Sequence, residues 1–302
     1  MKVLLVGHFE NIWSTNNEML KSFSRLGDKV TIFDYRKIAN QNIKSYEKNF
    51  IFLIINKILS FSRRIPLLRD NIGKIYYNIM GRGDMLNKLN KLRDKKFDLV
   101  MFLKTDTVDP LIVKKFSKKF KTWYYFMDPP YVAYRINVFE YVKYATYASS
   151  TFPDLFIKFK KINKNSFHIR QGFDEKVFKK RKRKKNIDFL FVGTKDKKRE
   201  KIVNYLNKYF RVRCYGLGWE NEPIFSHKLN NLYNSSKIIL NFNRNGDGFS
   251  VRIFQILGSG SFIISEYTKD LKKLFKNKYH IIWYYNLKQL KKLCNFYLNH
   301  RA

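Results

Sequence analysis

Asn241-Phe-Asn243-Arg244-Asn-Gly-Asp247-Gly248-Phe249-Ser250-Val251-Arg252-Ile-Phe-Gln255-Ile-Leu-Gly258-Ser-Gly260 is the stretch on which the reading of this chain turns. An apolar run over 238–242 ends in a loop of Asn and Gly that permits a tight turn, and a helix over 251–257 follows. Gly258 and Gly260 then lead into a second apolar run, 262–265. Strand, loop, helix and strand in that order are one unit of a parallel sheet covered by helices. The first turn of such a helix has N–H groups without intrahelical partners, so the start near Ser250 suits a diphosphate held by backbone donors and dipole. The guanidinium groups of Arg244 and Arg252 can add charge-assisted contacts to the same phosphates. Their alternative role is an intramolecular salt bridge, in a segment where acidic residues are scarce.

The same grammar extends in both directions. Upstream, 187–192 reads as a buried strand, Gly193-Thr194 as a tight turn, and 195–209 as a helix with Ile202, Val203 and Leu206 on one face. A strand at 212–215, a helix at 225–235 and the strand at 238–242 complete the approach to the loop. Downstream come a helix at 270–275, a strand at 280–284 and an amphipathic helix closing the chain. Before all of these stands a block of seven basic residues, 179–185. Like charges repel and rarely sit inside a domain, so this block reads as a solvated linker rather than a nuclear-localisation signal.

In the first half, strands are expected at 3–6, 30–33, 99–103, 123–127, 144–148 and 167–169. The first helix has Ser14 or Thr15 as N-cap, Glu18 in its first turn and Gly27 after its last. Residues 45–95 read mostly as helix, broken before Pro66. The resulting division is 1–172, a first Rossmann-like domain; 173–186, a basic linker; 187–285, a second Rossmann-like domain; and 286–302, a terminal helix packing back toward the first domain. Ligands of such sheets bind beyond the carboxyl ends of the strands.

Composition bounds the remaining choices. At 302 residues with 45% hydrophobic and 17% aromatic residues, the chain can build two cores, which excludes a disordered protein. Lys and Arg number 61 against 24 Asp and Glu, and the net charge of +37 favours partners carrying phosphate, an anionic membrane surface included. The alternative source of part of that excess is a genomic base composition that enriches Lys, Asn and Ile. The basic residues are scattered and no zinc-finger spacing or RNP-like motif occurs, so nucleic acid is disfavoured as partner. Cys214 and Cys294 lack a CxxC spacing, which argues against disulfides or zinc and for a reducing, cytoplasmic setting. The opening strand is too brief for a signal-peptide core, and no window is long and apolar enough to cross a bilayer. Residues 50–68 combine apolar residues with Lys57, Arg63 and Arg64, a pattern of interfacial attachment on the inner membrane face or of an ordinary core-facing helix.

The stretch quoted above resembles the E-x7-E motif of retaining glycosyltransferases with the GT-B fold, with Asp247 at the first acidic position and Gln255 at the second. Tyr125-Phe-Met-Asp128-Pro-Pro130, Arg170-Gln-Gly-Phe-Asp174, Asp188-Phe-Leu-Phe-Val-Gly193 and Leu232-Tyr-Asn-Ser-Ser-Lys-Ile-Ile-Leu-Asn241 are similar, in order, to segments of the CgeB or spore-maturation-protein-like branch. The resemblance implies an α/β GT-B fold, two Rossmann-like domains with parallel sheets facing across a cleft. It implies transfer of a sugar from a UDP- or GDP-linked donor to a hydroxyl of a glycan, lipid or protein, with retention, without metal and without a further cofactor. The donor would lie across Gly193, Thr194, the Tyr215-Gly216 turn and the segment Asn243, Arg244, Gly248, Phe249, Ser250, Val251 and Arg252. Lys198 or Arg199 would reach the diphosphate, Gln255 the ribose and Asp247 the sugar hydroxyls. Asp247 and Gln255 in place of two glutamates also fit a relative that has lost activity.

Two residues of the first half are acceptor-side candidates. Asp128, at a strand end before two prolines, can orient or deprotonate a hydroxyl, or cap the helix that follows. His8, just past the first strand, is a second candidate, with a structural hydrogen-bonding role as the alternative. Glu266 follows another strand end, either at the nucleotide or exposed. The aromatic run 123–126 reads as core before it reads as a sugar-stacking surface.

Overall fold

A computed structural model of the chain describes residues 1–10, 14–38, 83–105, 108–243 and 250–300. It divides into two compact units, Met1–Arg170 and Gln171–Ala302. The first holds β1 (Lys2–Gly7), α1 (Thr15–Arg25), β2 (Lys29–Asp34), α2 (Gly83–Lys91), β3 (Leu99–Leu103), α3 (Pro110–Ser117), β4 (Lys121–Phe126), α4 (Pro130–Arg135), α5 (Val138–Tyr144), β5 (Tyr147–Ser150), α6 (Pro153–Ile162) and β6 (Ser166–His168). The second holds β7 (Ile187–Val192), α7 (Lys197–Asn207), β8 (Val212–Tyr215), α8 (Ser226–Asn234), β9 (Ser236–Asn241), α9 (Arg252–Gly258), β10 (Ile263–Glu266), α10 (Lys269–Leu274), β11 (Ile282–Tyr284) and α11 (Leu287–Asn299).

The first sheet runs in the order β2-β1-β3-β4-β5-β6 and the second β11-β10-β9-β7-β8, with parallel pairing throughout. Strands covered on both faces carry continuous apolar runs. In β1, Leu4 and Val6 enter one core while Val3 and Leu5 enter another. The second sheet does the same, with Leu190 and Val192 on one face and Phe189 and Phe191 on the other. The aromatic run of β4 is core: Tyr124, Tyr125 and Phe126 are buried, and the Trp123 indole donates to Ser149 Oγ at 2.8 Å. Burial pushes the Cys214 and Cys294 thiols up to about 12, so neither is a nucleophile near neutral pH.

Order of strands places two switch points, at β1/β3 and at β7/β9, where connections leave in opposite directions and open a crevice beyond the carboxyl ends. Most expected elements agree with these bounds to within a few residues. The expected strand at 144–148 begins later, at Tyr147, because Val138, Tyr141 and Val142 recur with helical period and bury one face of α5. Of the expected helix at 45–95, residues 83–95 are described, with α2 followed by a 3-10 turn at Leu92–Asp94; the break at Pro66 and the segment 50–68 lie outside the described residues.

The basic block belongs to the second unit. Val177 and Phe178 enter its core before the block and Ile187 after it, so 173–186 is a strap anchored to that unit at both ends, with the side chains of 179–185 exposed. The terminal helix α11 packs on β9, β10 and β11 and buries Leu290 and Cys294 in one cluster with Leu240, Ile264 and Ile282.

Candidate functional site

The carboxyl edge of β7, β8 and β9 is laced together by main-chain and side-chain bonds. Gly193 N–H donates to the Tyr215 carbonyl at 2.8 Å, Lys195 N–H to the Leu217 carbonyl at 2.8 Å, and the Trp219 indole to the Gly193 carbonyl at 2.8 Å. Both glycines of this seam hold a backbone conformation that a side chain strains, φ +156° at Gly193 and +134° at Gly216. A Cβ at Gly216 would lie 2.5 Å from the Gly193 oxygen. A Cβ at Gly193 would lie 2.7 Å from Arg252 Nη2. Gly193 therefore makes room for a guanidinium of its own chain, and its N–H and carbonyl are both engaged.

Arg252 stands at the opening of α9, whose N-cap is Val251. Its Nη1 donates to Asn241 Oδ1 at 2.9 Å, and its guanidinium lies 5.6 Å from the centre of the Phe191 ring. Asn241 is fully buried at the end of β9 and donates in turn to Ser265 Oγ at 2.9 Å. The planar fork of Arg252 is thus held by an amide on one side and an aromatic face on the other, which fixes a cation beside Gly193. Ser250 Oγ, just before this helix, is buried and has no hydrogen-bond partner among the described residues. Gln255 is half-buried on α9, between Ile253 and Ile256 of the core. Arg244, Asp247, Gly248 and Phe249 lie outside the described residues.

Two residues expected at the diphosphate are otherwise engaged. Arg199 is 4% exposed, donating from Nε and Nη2 to the Phe242 carbonyl at 3.2 and 2.9 Å and from Nη1 to the Thr194 carbonyl at 2.9 Å. It ties the ends of β7 and β9 from within, its guanidinium turned to main-chain carbonyls. Lys198 pairs with Glu266 Oε1 at 2.6 Å, while Glu266 Oε2 accepts the Asn243 N–H at 3.0 Å. Glu266 is therefore neither a plain surface residue nor unengaged; it fixes the backbone that leads into the 244–249 segment.

In the first unit, the carboxyl ends of neighbouring strands gather ionisable groups. Lys104 after β3, with its backbone in the left-handed region at φ 49°, pairs with Asp128 after β4. The α4 N-cap is Pro129 without a side-chain bond, so Asp128 does not cap that helix. His8 Nδ1 lies 3.5 Å from Asp34 Oδ1, and Asp34 also accepts the N–H groups of Phe9, Arg36 and Lys37. Asp34 and Lys104 carry no motif in the sequence; their signal is position alone, a polar residue at or just past the end of a strand, and Asn241 at the end of β9 carries the same signal. Among the described residues there is no group of three or more His, Cys, Asp or Glu placed to hold a metal ion. No helix among them is long and apolar enough to cross a membrane.

Residues 175–302 match the model of a family described as glycosyl transferase-like. No curated protein sequence matches the chain. Among solved structures, Anabaena HepE in complex with UDP-glucose superposes with a TM-score of 0.65 at 10% identity, covering 99% of this chain and 90% of that one. Sucrose-phosphate synthase from Thermosynechococcus elongatus gives 0.58 at 10% identity over 99% and 90% of the two chains. A DNA-modifying beta-glucosyltransferase gives 0.52 at 12% over 99% and 89%. The fold is that of the GT-B glycosyltransferases. Within the GT-B framework the Arg252–Gly193 seam belongs to the unit that carries the family match, and the His8–Asp34 and Lys104–Asp128 pairs belong to the other.

Proposed function

We propose that the chain is a glycosyltransferase that moves a sugar from a nucleoside-diphosphate sugar to a hydroxyl acceptor. The observation that carries this reading is the Arg252 guanidinium held against Gly193 at the switch point of the matched unit. A departing diphosphate gains negative charge, and a fixed cation stabilises that charge without reorganising. UDP is the first nucleotide to test, because the similar Anabaena and DNA-modifying proteins are described with UDP-glucose. In this reading Arg252 supplies the charge stabilisation that a metal would otherwise give, and no metal is required. Retention and kinship with the CgeB-like branch rest on the motif resemblance around 247–255 and belong to the same proposal, as does a cytoplasmic setting.

Thermal unfolding with UDP, GDP and their sugars tests the donor. A ligand at one hundred times its dissociation constant adds about 2.7 kcal/mol of stability, so a cognate nucleotide raises the transition by several degrees. No shift with any nucleoside diphosphate sinks the reading. A shift without hydrolysis or transfer of any sugar favours a binding protein instead, which the glutamine at 255 makes a specific alternative.

On the acceptor side, Asp128 is positioned by Lys104 to orient a hydroxyl. Asp128→Asn is expected to lower transfer by about tenfold, the effect of losing one charge-assisted contact, with UDP affinity unchanged. Equal loss of UDP affinity would place the defect in folding rather than in acceptor handling.

A further inference from the structure

The basic strap is fixed in a way that a linker does not require. Two buried asparagines one turn apart on α8 bracket its backbone. Lys179 N–H donates to Asn230 Oδ1 at 3.1 Å and Arg181 N–H to Asn234 Oδ1 at 2.7 Å, while both amide groups donate back to the Lys179 carbonyl at 3.0 and 3.2 Å. Lys185 Nζ donates to the Ser236 carbonyl at 2.8 Å, and the Lys180 stem packs over Gly260. Residues 179–185 are nevertheless all exposed, and among the described residues no carboxylate pairs with any of them. Lys185 is held below the usual lysine range, by burial first and by the charge of Lys180 second. Ordering seven like charges side by side is unfavourable unless a partner neutralises them.

Geometry restricts that partner. Arg181, Lys182, Arg183, Lys184, Asn186 and Ser235 line an open concavity of about 550 Å³. It lies where the chain enters β7 and β9, at the amino edge of the sheet, roughly 20 Å of strand away from the carboxyl edge that holds Arg252. A donor diphosphate and a ligand of this strap therefore do not compete. A small phosphate would meet two or three of the cations and leave the others uncompensated, whereas an array of headgroups meets them all. Residues 179–185 contain no aromatic side chain on which bases could stack, and a single segment pinned flat is not a groove-reading element. We propose that the strap is a docking site for an anionic phospholipid surface, with one headgroup seated in the concavity and its neighbours along the run. The proposal does not depend on the glycosyltransferase reading.

Co-sedimentation of the full chain with vesicles of phosphatidylcholine, with and without phosphatidylserine, tests it. Binding is expected only with phosphatidylserine and is expected to weaken with salt. Each basic residue near such a surface contributes about fivefold, so combined Arg181→Gln, Lys182→Gln, Arg183→Gln and Lys184→Gln should weaken binding by more than tenfold. The strap is anchored through its backbone, so this variant should keep the wild-type unfolding temperature. Lys201→Gln, Lys208→Gln, Lys288→Gln and Lys292→Gln remove the same charge from α7, its C-cap and α11, and should leave binding near wild type. Equal losses in the two variants would assign binding to total charge and overturn the proposal. So would a wild type that ignores phosphatidylserine, or one that binds a single-stranded oligonucleotide more tightly than the vesicles. Stabilisation by UDP, read on the same samples, reports on the carboxyl edge alone, so each reading can fail without the other.

Discussion

Arg252→Ala is expected to lower kcat for sugar transfer or donor hydrolysis by roughly a hundred- to a thousandfold, the range found when one preorganised donor to developing charge is removed. The argument rests on how the guanidinium is held. Nη1 bonds Asn241 and the plane faces Phe191, which leaves the fork no freedom to follow solvent. A cation fixed before the diphosphate departs stabilises the transition state more than the ground state, and that difference appears in kcat. Arg252→Lys should recover only part of the loss, since a point charge cannot serve Asn241 and the space beside Gly193 together. Gly193→Ala offers a second route to the same defect. It leaves the charge in place but sets a Cβ 2.7 Å from Nη2, so the guanidinium must move. Both variants should therefore lose turnover in the same direction. Removing Arg252 also leaves the buried Asn241 oxygen short of a donor, worth about 1–2 kcal/mol of stability. Assays well below the unfolding transition separate the two effects. Loss of activity in proportion to the unfolded fraction, or full turnover in Gly193→Ala, would remove Arg252 from the reaction.

The sheets were readable because their central strands are apolar runs. Runs such as Val3-Leu4-Leu5-Val6 and Phe189-Leu-Phe-Val192 admit little but a strand buried on both faces, and glycine or asparagine marks where each one stops. Positions of the loops were readable for the same reason. Which cation faces a ligand was not. Lys198, Arg199 and Arg252 look alike in a sequence, and their fates depend on long-range placement: one meets Glu266 from β10, one turns inward to two carbonyls, and one is propped by Asn241. Gly193 illustrates the same limit. A glycine after a strand signals close approach, but whether a ligand or an arginine of the same chain approaches is decided by α9, sixty residues on. The basic strap misleads for a different reason: charge repulsion argues for a solvated run, yet its backbone can be held by Asn230 and Asn234 while its side chains stay in water.

Arg199→Met is expected to destabilise the second unit by about 3 kcal/mol or more, lowering its unfolding transition by about 10 °C. The methionine keeps much of the apolar stem but removes three N–H donors from the Phe242 and Thr194 carbonyls. Those carbonyls follow β9 and β7, the two strands of the switch point, and Phe242 is fully buried. Water does not readily replace the lost bonds there, so the full desolvation cost of the acceptors is felt. The guanidinium also lies 5.5 Å from the Phe191 ring and 3.5 Å from Asp196, so its loss loosens the turn before α7 as well. Lys198→Met is the comparison. Its ion pair with Glu266 is largely exposed to solvent, where such pairs contribute at most about 1 kcal/mol, so its transition should shift by no more than about 4 °C. A donor ligand at position 199 predicts the reverse pattern: an unchanged transition and abolished stabilisation by UDP. A folded Arg199→Met protein, examined at low temperature, should instead bind UDP with near wild-type affinity. The pair of measurements separates an arginine that holds the two strand ends together from one that meets the nucleotide. The strand ends carry Gly193 and Asn243, so the architecture that presents Arg252 depends on the inward-facing arginine.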